Sequence, residues 1–96
     1  YQLQKSVDEQ NGKVVDTLTE DSEQYRDTIV IYLSDHGELL GAHGGMFQKW
    51  HNSYDEMLKV PFMFHNPELF PRHETSDVLT SHADLIQTML FLAGLD

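Results

Sequence analysis

The chain has 96 residues, 40% of them hydrophobic and 23% charged, which suits one small globular domain with a marginal core and argues against disorder. Six basic residues against sixteen acidic ones leave a formal charge of -10, which opposes binding to nucleic acid or to an anionic membrane. There is no cysteine, which excludes disulfides and thiolate metal sites within this segment, and no apolar run is long enough to cross a bilayer.

The chain opens at Tyr1 directly into a helical pattern, without an initiator methionine, and reads as a cut from a longer protein. Leu3, Val7, Val14, Val15 and Leu18 recur near helical spacing up to about Glu20, with Gly12 weakening the pattern. The polar stretch from Thr19 to Asp27 predicts a loop or a short helix end. Thr28-Ile29-Val30-Ile31-Tyr32-Leu33 is a continuous β-branched and aromatic run, the pattern of a strand buried on both faces of a parallel sheet. It stops abruptly at Ser34-Asp35-His36-Gly37. Gly37, Gly41, Gly44 and Gly45 mark a loop-rich region that allows close backbone approach. Asn52 to Leu58 predicts a short helix, and Val60 to Phe64 a second short strand with Pro61 near its start. The last helix starts at Ser81 as a cap, with Asp84 in its first turn. It is apolar over much of its circumference, which predicts burial, and stops at Gly94. This alternation of helix and strand is that of an α/β sheet.

Polar residues at the carboxyl end of a buried strand are where open α/β sheets place their ligands. Asp35 and His36 offer a carboxylate oxygen and an imidazole nitrogen, which suit a divalent metal ion. Read alone, the pair is more readily a strand-ending turn with a capping Asp and a surface His. Ser34-Asp35-His36 is not a catalytic triad, because three consecutive residues cannot make its hydrogen bonds. Lys49, between the Gly-rich loop and Trp50, suits a sulfate or phosphate oxygen as a point charge; its plain alternative is a surface lysine lying over Trp50. His43, inside the Gly-rich loop, is the secondary substrate-binding candidate. His51, His65, His73 and His82 read as surface or structural, and Asp55-Glu56 as solvated or loop-fixing.

Taken together and in order, Thr28 to Glu38, Leu40-Gly41-Ala42-His43-Gly44, Lys49-Trp50, Tyr54-Asp55-Glu56 and Lys59-Val60-Pro61-Phe62 closely resemble the sulfatase family of the alkaline phosphatase superfamily. The segment from Val7 to Leu18 resembles the helix before that strand, and the segment from Ser81 to Gly94 the helix after it. The resemblance implies a fragment of an alkaline phosphatase-like three-layer α/β fold with a mostly parallel central sheet, residues 1–96 being a partial sulfatase catalytic domain. It implies hydrolysis of a small-molecule or carbohydrate sulfate ester by a formylglycine nucleophile from an upstream Cys/Ser-x-Pro-x-Arg motif, which this chain lacks. It also implies one divalent cation, usually calcium, with manganese, zinc or magnesium as alternatives. By position, Asp35 and His36 match the paired metal ligands and Lys49 the sulfate-contacting lysine.

His36 stands where many sulfatases carry Asn, and Asp-His also occurs in relatives acting on phosphonate or phosphate esters and in choline-sulfatase-like enzymes. A phosphodiesterase, phosphonate monoester hydrolase or phosphotransferase of the same superfamily is therefore the enzymatic rival. A non-catalytic acidic domain that binds a metal or a partner is the reading outside enzymology.

Overall fold

A computed structural model describes residues 2–49 and 51–95 of the chain. The first helix, α1, spans Gln2–Glu20 and runs through Gly12, where nothing crowds the missing Cβ. Its apolar stripe is open to solvent, with Leu3, Val7 and Val14 all exposed. Asp21 then starts a second helix, α2 (Ser22–Arg26), by accepting hydrogen bonds from the Glu23 and Gln24 amides at 3.1 and 3.0 Å. An aspartate at this position satisfies two amides that have no partner inside the helix. The stretch expected as loop or helix end is thus a capped turn of helix.

Two strands follow, β1 (Val30–Leu33) and β2 (Phe62–His65). They pair antiparallel, Val30 opposite His65 and Leu33 opposite Phe62. This corrects the parallel pairing expected for the apolar run: among the described residues the sheet is one antiparallel pair. Apolar continuity reports how much burial a strand seeks and is silent on the direction of its neighbour. Burial falls short of the expectation too, since β1 is half-buried at best and Tyr32 is exposed.

Asn66, directly after β2, is 2% exposed. Its amide nitrogen donates to the carbonyls of Arg26 and Thr28 at 2.7 and 2.9 Å, and its amide oxygen accepts from the Glu68 and Leu69 amides at 2.9 and 2.8 Å. One side chain therefore ties the approach to β1 to the exit from β2, with all its hydrogen-bonding capacity used.

Between the strands the chain makes two short helical turns, α3 (Ala42–Gly45) and α4 (Asp55–Leu58). Among the described residues Leu39 and Met57, 2% and 6% exposed, are the buried apolar ones, and both lie in this connection. At the C-terminal end the Ser81 hydroxyl accepts from the Ala83 amide at 3.2 Å, as expected of a cap. A 3-10 turn (His82–Asp84) leads into α5 (Leu85–Leu92), and Gly94, at φ 73°, stops it. The expected burial of α5 is corrected: Ile86, Met89, Leu90 and Phe91 are exposed. An all-round apolar helix demands neighbours on every side; here only Leu85, Thr88 and Leu92 of α5 are half-buried, and Leu85 and Thr88 share a small hollow with Phe62 and Phe64.

Candidate functional site

β1 ends where the Ser34 amide donates to the Pro61 carbonyl at 3.3 Å, and the backbone turns away from the sheet there. Adjacent side chains of a strand point to opposite faces, but these two residues have left the strand. The His36 amide donates to Asp35 Oδ1 at 3.0 Å, folding the carboxylate forward. Asp35 Oδ2 consequently lies 3.4 Å from His36 Nε2. The other ring nitrogen, Nδ1, is 2.8 Å from the Gly37 carbonyl oxygen. A carbonyl can only accept, so Nδ1 carries the proton and Nε2 presents its lone pair beside the carboxylate. Lys49 Nζ donates to that lone pair at 2.5 Å. The three expected residues thus converge on one imidazole nitrogen. The alternative placement of Lys49 over Trp50 lies outside the described residues.

Asp35, His36 and Lys49 open onto a cleft of about 1020 Å³ whose far wall is formed by residues 76–82. His82 Nε2 donates to the Ser34 carbonyl at 2.8 Å, joining that wall to the loop. The Ser34 hydroxyl donates to the His36 carbonyl at 2.8 Å and approaches no imidazole nitrogen, in keeping with the rejected triad. Lys59 also lines the cleft, with Asp55 Oδ2 2.5 Å from its ammonium; that hydrogen bond holds its pKa above the ordinary lysine value.

As a donor set, one carboxylate oxygen and one imidazole nitrogen fit a divalent cation in kind, although the Nε2 lone pair that would bind it here accepts the Lys49 ammonium. They fit it in part only, because among the described residues no group of three or more His, Cys, Asp or Glu could hold a metal.

The loop behind the pair is pinned in ways the sequence pattern only hinted at. The Gly37 amide donates to the Met57 carbonyl at 2.9 Å, and a Cβ on Gly37 would stand 1.7 Å from the Glu56 carbonyl oxygen. His43 does not line the cleft. Its Nε2 is 3.0 Å from Glu56 Oε2, and its ring stacks on Tyr54 with centroids 3.7 Å apart and planes 9° from parallel. The His43 hydrogen bond holds the Glu56 carboxyl below its ordinary value. In sequence Glu56 is only half of a pair that suits a solvated or loop-fixing role. The available signal was the density of glycines facing it in sequence, which announces close backbone approach without naming the partner.

The described residues therefore combine helices with one antiparallel strand pair, and a polar cluster gathers at the carboxyl end of a strand. The chain belongs to the sulfatase family: the family model described as Sulfatase matches residues 1–95. It is 39% identical over 90 residues to an uncharacterised sulfatase of Escherichia coli (strain K12), covering 94% of this chain and 17% of that protein. It is 34% identical over 89 residues to a choline-sulfatase of Rhizobium meliloti (strain 1021), covering 93% and 16%. It is 30% identical over 91 residues to an N-acetylglucosamine-6-O-sulfatase of Bacteroides thetaiotaomicron, covering 95% and 16%. The chain thus spans about a sixth of the length of these curated relatives. No solved structure matches it significantly.

Proposed function

We propose that this chain is the part of a sulfatase catalytic domain that supplies two metal ligands, Asp35 and His36, and a substrate-binding lysine, Lys49, to the hydrolysis of a sulfate ester. The observation that carries the reading is the convergence of Asp35 Oδ2, His36 Nε2 and Lys49 Nζ at the mouth of one cleft. Membership of the sulfatase family supports it. In the intact enzyme the β1–β2 pair belongs to a larger three-layer fold, whose mostly parallel sheet can carry antiparallel strands.

The chain's own residues do electrostatic work. Asp35 and His36 would hold one divalent cation, calcium by the family resemblance, with manganese, zinc and magnesium as alternatives, the remaining ligands coming from outside this segment. When bound, that ion neutralises ester oxygens and the charge that develops on them. The Gly37 carbonyl keeps His36 in the tautomer that presents Nε2, the role such outer hydrogen bonds play for ligating histidines. Lys49 brings a flexible point charge to the non-bridging oxygens of the ester. The attacking group comes from outside these 96 residues, so the segment alone is inactive. The substrate is a small-molecule or carbohydrate sulfate, the classes named by the choline-sulfatase and N-acetylglucosamine-6-O-sulfatase relatives.

The second reading, phosphoryl or phosphonate ester hydrolysis, rests on His36 standing where many sulfatases carry Asn. A panel of sulfate, phosphate and phosphonate esters offered to the intact enzyme separates the two. The sulfatase reading expects sulfate esters to be turned over fastest. It expects Asp35→Ala and His36→Ala to abolish metal-dependent turnover, and Lys49→Ala to cost roughly a hundredfold or more in kcat/KM. Wild-type rates in either ligand variant would remove the assignment.

A further inference from the structure

Glu56 touches the loop that joins His36 to Lys49 at two separate points. Its backbone carbonyl fills the space over Gly37, immediately after the imidazole, and its carboxylate takes the hydrogen bond of His43, midway to the lysine. His43 does not drift onto Glu56 by chance. Its backbone sits in the left-handed region, φ 52° and ψ 47°, which a residue with a side chain adopts at a cost and keeps only where its surroundings hold it. The stacked Tyr54 ring and the Glu56 carboxylate are those surroundings, and both belong to the entry of α4. The partly covered pair also makes a charge-assisted hydrogen bond, stronger than a neutral one. Between the two grips lies buried Leu39, and beyond the second the chain runs six residues to Lys49.

We propose that His43 and Glu56 form a positioning latch: they set the path of the loop and so the place at which the Lys49 ammonium meets the metal-binding pair. Neither residue touches substrate; both act through Lys49. The inference rests on the role of Lys49 proposed above and adds two positioning residues to it. It also gives His43 a different task from the substrate contact suggested by its place in the loop.

The test is a set of double-mutant cycles in the intact enzyme, with kcat, KM and thermal midpoint measured for each variant on one sulfate ester. Glu56→Ala and His43→Ala are expected to raise KM about tenfold with a smaller change in kcat, the pattern of lost ester binding. In a Lys49→Ala background the same substitutions should change KM less than twofold, because the group they position is already gone. Glu56→Gln keeps an acceptor for His43 and should restore most of the wild-type KM. If Glu56→Ala does not fold, His43→Phe, which preserves the ring on Tyr54 and loses only the donor, takes its place with the same expectations. Effects that multiply fully with Lys49→Ala, or a wild-type KM without the latch, would overturn the proposal. A Lys49→Ala enzyme with wild-type kcat and KM would instead sink the reading of the site on which it stands.

Discussion

The carbonyl oxygen of Glu56 occupies the space in which a Cβ on Gly37 would stand, 1.7 Å from its ideal position. The atom in the way is backbone, so it cannot rotate aside as a side chain would. Gly37→Ala must push α4 from the loop or turn the loop itself, breaking the Gly37 amide bond to the Met57 carbonyl. Overpacking of this kind costs about 1–3 kcal/mol or more. Because the Gly37 carbonyl also orients the His36 ring, the damage should reach the site. In the intact enzyme, denaturant titration of Gly37→Ala should show that loss of stability, and turnover should fall with it. A variant with wild-type stability and rate would mean that the loop relaxes freely.

Asn66 offers a second test, independent of the site. Its side chain is buried and makes four hydrogen bonds to backbone groups that precede β1 and follow β2. Asn66→Ala leaves those groups unpaired, at about 1–3 kcal/mol for each one that water cannot reach. Asn66→Asp should be worse than Asn66→Ala, because it turns a carboxylate oxygen toward the Arg26 and Thr28 carbonyls, which have no proton to give. Urea unfolding of the two variants in the intact enzyme ranks them, and an Asp variant as stable as wild type would show that the donor side of this residue is idle.

The legible and illegible parts of this chain divide along physical lines. Helix ends were readable because a cap is local chemistry: Ser81 and Gly94 do in the structure what their residue types prescribe. Asp21 does the same, yet it lay in a polar stretch where the eye sees a loop. The pairing direction of β1 was not readable, since Thr28 to Leu33 carries burial and no address for its partner. At the site, Asp35, His36 and Lys49 could be singled out by residue type, position after a strand and family resemblance. What makes them converge could not be. The His36 tautomer depends on a carbonyl one residue on, and the loop's path depends on Glu56 and Tyr54, which approach from across the connection. Tertiary geometry of that sort leaves only an indirect trace in sequence, here the glycines that permit the approach.

The His43–Glu56 pair should mark the acid limb of stability. Glu56 has its carboxyl held below the ordinary value of 4.5, first by the hydrogen bond from His43. A depressed carboxylate contributes stability that is fully present above its unfolded pKa and is lost as the pH falls through its lower folded value. Wild-type protein should therefore lose stability on acidification below 4.5. Glu56→Gln, which cannot titrate, should lose less over the same interval. In the intact enzyme many carboxylates contribute to the absolute curve, sixteen in this segment alone, so the difference between the two proteins is the quantity to read. Parallel curves would show that the pair adds nothing to folding, and would leave its proposed role resting on kinetics alone.

The 96 residues by themselves should not melt cooperatively. Leu39 and Met57 are the buried apolar residues among those described, while Leu3, Val7, Val14, Ile86 and Phe91 stand more than half exposed. The radius of gyration is 16.4 Å, whereas a compact domain of this size measures about 13 Å. Ordering a residue costs on the order of 1–2 kcal/mol of backbone entropy, which only extensive apolar burial offsets. Two buried side chains and one pair of four-residue strands fall far short of that for a chain of this length. Circular dichroism of the isolated segment should show helix that fades over a broad temperature range, without a heat-absorption peak in calorimetry. A sharp transition with a matching calorimetric enthalpy would mean that the apolar faces of α1 and α5 find each other in solution, and that the segment folds by contacts absent from the structure described above.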